Sequence, residues 1–206
     1  MANRLIIIGA GGHGKVCADI ALKMGKWNEV AFLDDNEELT TVLGLQVLDR
    51  ANVYPLYKKD TDFFIAIGNN TTRELLLNKL IDDEYNISTL IHPNSVIAKE
   101  VEIGIGSVVM AGTVINCSTK IGKGCIINTS SSIDHDCIIE DYVHISPGVR
   151  LAGNVRVGNK CWLGIGSTVI NNISICDECI IGAGGLVISQ LVIPATYIGC
   201  PVKMSW

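Results

Sequence analysis

The chain has 206 residues, 48% of them hydrophobic and only 5% aromatic, with a formal net charge of −5. That length can bury a sizeable core in one or two domains, and an acidic balance without basic tracts argues against a nucleic-acid partner. The opening Met1-Ala2-Asn3-Arg4-Leu5-Ile6-Ile7-Ile8-Gly9 is too short for a membrane span and lacks the layout of a signal peptide, so the expected compartment is the cytoplasm.

Residues 1–88 read as a small α/β domain with a parallel sheet, because strand patterns alternate with helical ones. Arg4–Ile8 predicts a buried strand, followed by Gly9-Ala10-Gly11-Gly12-His13-Gly14 and a helix over 15–24. Further strands are expected at Val30–Leu33, which ends in Asp34-Asp35, at Leu45–Leu48, and at Phe63–Ile67, which opens into Gly68-Asn69-Asn70. A second helix is expected over 71–81, with Asn70 or Thr71 as its cap. The spacing Gly9-x-Gly11-x-x-Gly14 fits a dinucleotide fingerprint, but it fits a plain strand-to-helix turn as well. The domain is short for a complete dinucleotide site. The better expectation is one crevice for part of a nucleotide, lined at the strand ends by Gly11–His13, Asp34-Asp35 and Gly68. Amides at a helix start can hold phosphate, and a carboxylate can accept a hydrogen bond from a base or ribose.

Residues 89–206 carry a strict period of six. Aliphatic residues recur without insertion from Ile91 through Ile97, Ile103 and Val109 to Val187 and Ile193. Four residues after each stop comes a small or apolar residue, as at Ser107, Thr113, Thr119, Cys125, Ser131 and Cys137. Such a period is the mark of a parallel β-helix, three hexads making one triangular coil. Glycine follows the aliphatic stop at Gly104, Gly122, Gly158, Gly164 and Gly182, where sharp corners are expected to need its positive φ. After Ile193 only a short tail, Pro194–Trp206, is expected.

The eight cysteines raise the question of zinc or disulfides. Cys125, Cys137, Cys161 and Cys179 fall in the small inward register, where cysteine acts as a small hydrophobe. Cys176 and Cys179 form a single C-x-x-C without a second ligand pair, so no metal is expected.

Chemistry is sought among four histidines. His92 precedes Pro93 at the β-helix entrance and reads as structural, whereas His13 lies in the glycine loop. His135 stands between two acids in Ile133-Asp134-His135-Asp136-Cys137. Neighbouring carboxylates stabilise imidazolium, which suits His135 to general-base work near neutrality, although a polar corner would look the same. His135 and His144 could begin a three-histidine zinc site of the kind some hexapeptide-repeat proteins carry, but no third histidine has a matching position.

With these pieces assembled, the chain resembles hexapeptide-repeat acyltransferases that carry an N-terminal sugar-nucleotide domain. These are the UDP-4-amino-sugar and perosamine N-acetyltransferases and the sialic acid O-acetyltransferases. The resemblance rests on Gly11-Gly12-His13-Gly14, Phe32-Leu33-Asp34-Asp35, Phe63–Asn70, Asn128-Thr129-Ser130-Ser131, Asp134–Cys137, His144-Ile145-Ser146 and Ala152-Gly153-Asn154. It implies a Rossmann-like N-terminal domain and a left-handed β-helix. It also implies acetyl-CoA as cosubstrate without a metal, and a homotrimer with sites between subunits. His135 then looks like the general base and Asp136 like the acid beside it, where the family pattern has Glu. Gly11, Gly12, His13, Asp34, Asp35 and Gly68 would surround the nucleotide sugar. His144, Gly153, Ile165 and Ala183 would meet acetyl-CoA, the Gly153 N–H facing the thioester oxygen; Ala183 replaces a glycine of the pattern. The implied reaction is N-acetylation of a 4-amino sugar on a nucleotide, probed against O-acetylation of sialic acid and against a non-catalytic sugar-nucleotide-binding β-helix. Neither the carrier, UDP against GDP or dTDP, nor the sugar's configuration follows from the residues.

Overall fold

The computed structural model describes residues 3–57 and 60–205, so Met1 and the terminal Trp206 lie outside the described residues. The chain divides into two compact units, Met1–Pro93 and Asn94–Trp206.

The first unit is built on β1 (Arg4–Ile8), whose Leu5, Ile6, Ile7 and Ile8 are all buried. It pairs in parallel with β2 (Glu29–Leu33) on one side and β5 (Thr61–Ile65) on the other. Hairpin strands β3 (Thr41–Val42) and β4 (Leu45–Asp49) and the short β6 (Asn86–Ile87) complete the order β3-β4-β2-β1-β5-β6. The chain therefore leaves β1 toward β2 and later returns to its other side, which makes the end of β1 a topological switch point.

Helix α1 spans Gly12–Met24, so it starts within the glycine run and not at Lys15. Glycines usually weaken a helix, but Gly14 is required here: a Cβ on it would lie 2.0 Å from the Gly9 carbonyl oxygen. Helix α2 spans Asn70–Asp82 and is capped by Asn69, one residue earlier than expected, whose Oδ1 accepts from the Thr72 N–H at 2.9 Å. Strand β5 begins at Thr61 because Asp62, though charged, is buried with partners. Trp27 Nε1 and Ser88 Oγ donate to its Oδ2 at 2.8 and 3.0 Å.

The second unit is a left-handed parallel β-helix of two-residue strands in three walls. Residues one coil apart stack in register, for example Ile127, Ile145, Leu163 and Ile181. The inward aliphatic column is buried from Val109 to Val187, but Ile193 is 54% exposed. There the chain leaves the coil for a hairpin, Thr196–Gly199 against Val202–Ser205, so the tail is ordered structure, its first strand extending one wall beside Ile180–Ile181.

Two readings of the repeat change. Gly104, Gly122, Gly158, Gly164 and Gly182 are not the positive-φ residues. They mark close approach to the next coil, or at Gly182 to the tail hairpin: a Cβ on Gly104 would sit 2.5 Å from the Gly122 carbonyl carbon, one on Gly164 2.6 Å from the Ile181 oxygen, and one on Gly182 2.8 Å from Ile198 Cγ2. Positive φ falls instead two residues later in each hexad, at Glu100, Gly106, Gly112, Ser118 and onward to Glu178 and Gly184. The small register is also more than filler. Ser107, Thr113 and Thr119 donate to corner carbonyls of the next coil at 2.8, 3.0 and 2.9 Å, and Cys125, Cys137 and Cys161 do the same at 3.1, 3.3 and 3.0 Å. A buried carbonyl without such a donor would destabilise by about 1–3 kcal/mol, so Ser, Thr and Cys satisfy size and polarity together.

Candidate active site

His135 sits at a corner of the β-helix, after the strand Ser132–Ile133, with its side chain about half exposed. The next residue, Asp136, occupies the left-handed position of its hexad at φ 57. That conformation turns its carboxylate back alongside the imidazole, and His135 Nδ1 lies 2.7 Å from Asp136 Oδ2. With Nδ1–H donating to the carboxylate, the Nε2 lone pair is directed away from it. The hydrogen bond with Asp136 raises the His135 pKa above its ordinary value, helped by the charges of Asp134 and Asp136. Asp134 is fixed in turn: Asn116 Nδ2 and the His135 N–H both donate to its Oδ1, at 2.8 and 2.9 Å, and hold its pKa down.

Gly153 lies one coil beyond His135 and forms the shelf beneath its ring. A Cβ there would be 2.6 Å from both Cε1 and Nε2 of His135 and 3.2 Å from Nδ1. The glycine is needed for this close approach, and its φ is not positive. Of the expected residues, His135, Asp136 and Gly153 therefore share one corner.

The other acetyl-CoA candidates do not join them within a single copy. Ile165 and Ala183 occupy a different corner column, after the strands Trp162–Leu163 and Ile180–Ile181, and both are exposed. His144 belongs to the wall leading to that column, in register with Trp162. Its ring stacks on the Trp162 indole, centroids 5.9 Å apart and planes 12° from parallel, and its Nε2 lies 3.4 Å from Asn128 Nδ2. Trp162 Nε1 donates to Ser146 Oγ at 2.9 Å. Asn116, Asn128 and Trp162 were not among the candidates. The available signal was the coil period, which puts Asn116 over Asp134 and His144 over Trp162.

In the first unit, the ends of β1, β2 and β5 converge at the switch point. Gly9 N donates to the Leu33 carbonyl and Ala66 N to the Ile8 carbonyl, both at 2.8 Å. Gly11 and Gly12 have nothing within 4 Å of a built Cβ, and neither does Gly68, so backbone faces open space at all three. Gly11 caps α1 with no side-chain hydrogen bond. The aspartates are more engaged than expected. Asp34 Oδ2 accepts from the Ala10 N–H at 2.6 Å and its Oδ1 from Asn36 N at 2.9 Å, while Asp35 Oδ1 accepts from Ala51 N at 3.0 Å. Asp34 thus ties the glycine loop to the end of β2. Beside it opens a cavity of about 330 Å3 lined by Asp34, Asn36, Thr40, Val47, Leu48 and Arg50.

His13 is largely enclosed, its Nε2 3.6 Å from Cys17 Sγ. Burial, and then the charge of Arg73, lower its pKa to about 4, so the ring is neutral at pH 7. Arg73 is itself fully buried and donates to the carbonyls of Ile67 and Gly68, both at 3.0 Å, and to Asn70 Oδ1 at 2.7 Å. It thereby fixes the loop that carries Gly68. Its signal was a cation on the helix face of Leu77 and Leu80. Among the described residues no three His, Cys, Asp or Glu side chains are grouped to hold a metal ion, and no helix is long and apolar enough to cross a membrane.

A nucleotide-type crevice in one unit and a histidine–carboxylate corner in a left-handed β-helix in the other define a hexapeptide acyltransferase. The family model of the PglD N-terminal domain matches residues 4–80, and that of the bacterial transferase hexapeptide (six repeats) matches residues 118–153. The chain belongs to this family, the hexapeptide-repeat acyltransferases with an N-terminal sugar-nucleotide domain. Its fold matches the acetyltransferase domain of PglB from Neisseria gonorrhoeae FA1090, solved with acetyl coenzyme A, with a TM-score of 0.97, 33% identity and complete coverage of both chains. It also matches PerB from Caulobacter crescentus, solved with CoA and GDP-perosamine, with a TM-score of 0.92 and 35% identity over 100% of this chain and 99% of that one. The UDP-N-acetylbacillosamine N-acetyltransferase of Bacillus subtilis (strain 168) is 37% identical over 116 residues. That match spans 53% of this chain and about half, 52%, of the relative.

Proposed function

We propose that the protein transfers the acetyl group of acetyl-CoA to the 4-amino group of a 4-amino-4,6-dideoxy sugar carried on a nucleotide, UDP by preference. The single observation that carries the chemistry is His135, bonded through Nδ1 to Asp136 and seated on Gly153. Relatives bound to acetyl coenzyme A, and to CoA with GDP-perosamine, support the substrate classes.

In this reading the neutral amine attacks the thioester carbon and forms the C–N bond, and its proton passes to His135 Nε2. Asp136 stabilises the imidazolium that results. The Gly153 N–H donates to the tetrahedral oxyanion, an interaction whose removal in comparable sites raises the barrier by about 3–4 kcal/mol. Collapse breaks the C–S bond, and CoA leaves with the proton returned by His135. Gly11, Gly12, His13, Asp34, Asp35 and Gly68 hold the nucleotide sugar: open amides at the start of α1 suit phosphate, and the free carboxylate lone pairs suit a ribose or base.

His144, Ile165 and Ala183 line acetyl-CoA on a second copy, because within one copy they occupy a different corner from His135. A homotrimer with sites between β-helices satisfies that geometry, and the exposed Trp162, Ile165, Ile180 and Ile198 give such a contact an apolar surface. The compartment is the cytoplasm, where acetyl-CoA and sugar nucleotides are both soluble.

The test is CoA release with UDP-4-amino-4,6-dideoxy-GlcNAc as acceptor, its GDP and dTDP counterparts and sialic acid running alongside. Turnover confined to nucleotide-linked amino sugars, and abolished in a folded His135→Ala variant, is expected. Turnover on sialic acid alone would replace the reading with O-acetyl transfer.

A further inference from the structure

Three sulfurs near the C-terminal end of the β-helix take no part in that reaction. Cys176 and Cys179 are the first and last residues of the corner turn Cys176-Asp177-Glu178-Cys179, with Glu178 at φ 60. A β-turn holds its end Cα atoms within about 7 Å, which overlaps the separation of about 4.4–6.8 Å that a disulfide spans. Both thiols are free, and their Sγ atoms lie 3.5 Å apart. Cys161, one coil before Cys179, donates from Sγ to the Cys176 carbonyl at 3.0 Å and steadies the turn from below.

The two thiols differ in access. Cys176 is half-buried and lines a cavity of about 550 Å3 with Asn159, Ser174, Asp177, Gln190 and Val192. Cys179 is fully buried behind it, its Sγ 3.6 Å from the Ile193 carbonyl. A small solute in the cavity can meet the first sulfur and not the second.

We propose that Cys176 and Cys179 form a thiol modification site that small soluble disulfides convert into an intramolecular disulfide. The Cys176 thiolate attacks one sulfur of the small disulfide RSSR; a new S–S bond joins Cys176 to RS, and the other half leaves as a thiol, RSH. The Cys179 thiolate then attacks Cys176 Sγ and displaces the second RSH. Two cysteine thiols lose two electrons and two protons, and one RSSR is reduced to two RSH, so the step balances without another oxidant. Closing from 3.5 Å to a bond of about 2.05 Å needs rotation of the two side chains. Sharing a proton with Cys176 holds the Cys179 pKa below its ordinary value, which favours the thiolate that the second attack uses, whereas burial pushes the Cys176 thiol up to about 11, so the first attack quickens as the pH rises toward that value.

The experiment uses the folded 206-residue chain with Cys117 and Cys200, which are exposed, replaced as Cys117→Ser and Cys200→Ser. The chain is incubated with glutathione disulfide, and its mass is read intact and after peptide mapping. The expected product has lost two hydrogens, maps to a Cys176–Cys179 link, and reverts with a reducing thiol. Cys179→Ser, or Cys179→Ala if the serine variant fails to fold, should instead retain one glutathione on Cys176, and Cys176→Ser should take none. A glutathione adduct that persists on Cys176 with Cys179 present would overturn the pairing. An unmodified Cys176 at a dose that fully modifies Cys117 in the parent chain would overturn its access.

Discussion

Replacing Gly153 by Ala puts one methyl group where the His135 ring now lies. The new Cβ would be 2.6 Å from Cε1 and Nε2, against ordinary carbon contacts of about 3.5–4.0 Å, so the ring must withdraw by about 1 Å. Nothing in the backbone has to move, because the clash is with the end of a half-exposed side chain. The expected stability change is therefore small, below about 1 kcal/mol. The geometry is less forgiving: a ring displaced by that much loses its 2.7 Å bond to Asp136 and its aim at the amine. Misplacement by about 1 Å lowers turnover by about 100-fold, equivalent to about 2.7 kcal/mol. The assay is CoA release under saturating acetyl-CoA and amino sugar, beside a thermal melt and an NMR titration of His135. The result expected is a collapse in kcat with an unchanged melt and a His135 pKa moved down toward its ordinary value. A Gly153→Ala enzyme with wild-type kcat would refute the view that Gly153 positions the base.

Four further substitutions have expected outcomes. Because Asp136 raises the His135 pKa and the base works only when neutral, activity falls as pH drops through that raised value; Asp136→Asn should shift the acid limb of the kcat profile to lower pH and reduce the plateau. In the small register, Thr119→Val removes a donor to the Asp134 carbonyl and an acceptor for Cys137 N–H, and should destabilise by about 1–3 kcal/mol in denaturant. Ser167→Ala should be neutral or stabilising, since the buried Ser167 hydroxyl has no hydrogen-bond partner among the described residues, and a loss like that of Thr119→Val would contradict this account. His13 has a folded pKa of about 4 against an ordinary 6.5, so the unfolded chain binds more protons between those values. Its contribution, about 3 kcal/mol, is complete above pH 6.5 and is lost as pH falls toward 4; His13→Gln should remove that pH dependence from the hydrogen-exchange protection of β1.

Periodicity that repeats along the chain is local information, and the sequence carried it without loss. The six-residue period assigned the β-helix because each hexad repeats one backbone shape, and the α/β alternation assigned the parallel sheet of the first unit. The motif Asp134-His135-Asp136 was legible for the same reason, since a histidine and its neighbouring acid meet through adjacent residues. The roles of the glycines were not legible. Gly104 and Gly164 exist for contact with the next coil, and residues so far apart in the chain meet only when the coil closes. The same holds for Gly153 under His135 and for Trp162 against His144. Asp34 looked available to a ligand until the folded sheet set Ala10 N–H against one of its oxygens, and Arg73 drew no attention until the fold buried it against the loop carbonyls of Ile67 and Gly68. Sequence alone thus determined the two architectures and the contact between His135 and Asp136, which depend on neighbouring residues and short repeats. Tertiary structure decided which polar groups are already occupied and which glycines hold the site, because those depend on atoms that only the closed coil and the assembled sheet bring within contact distance.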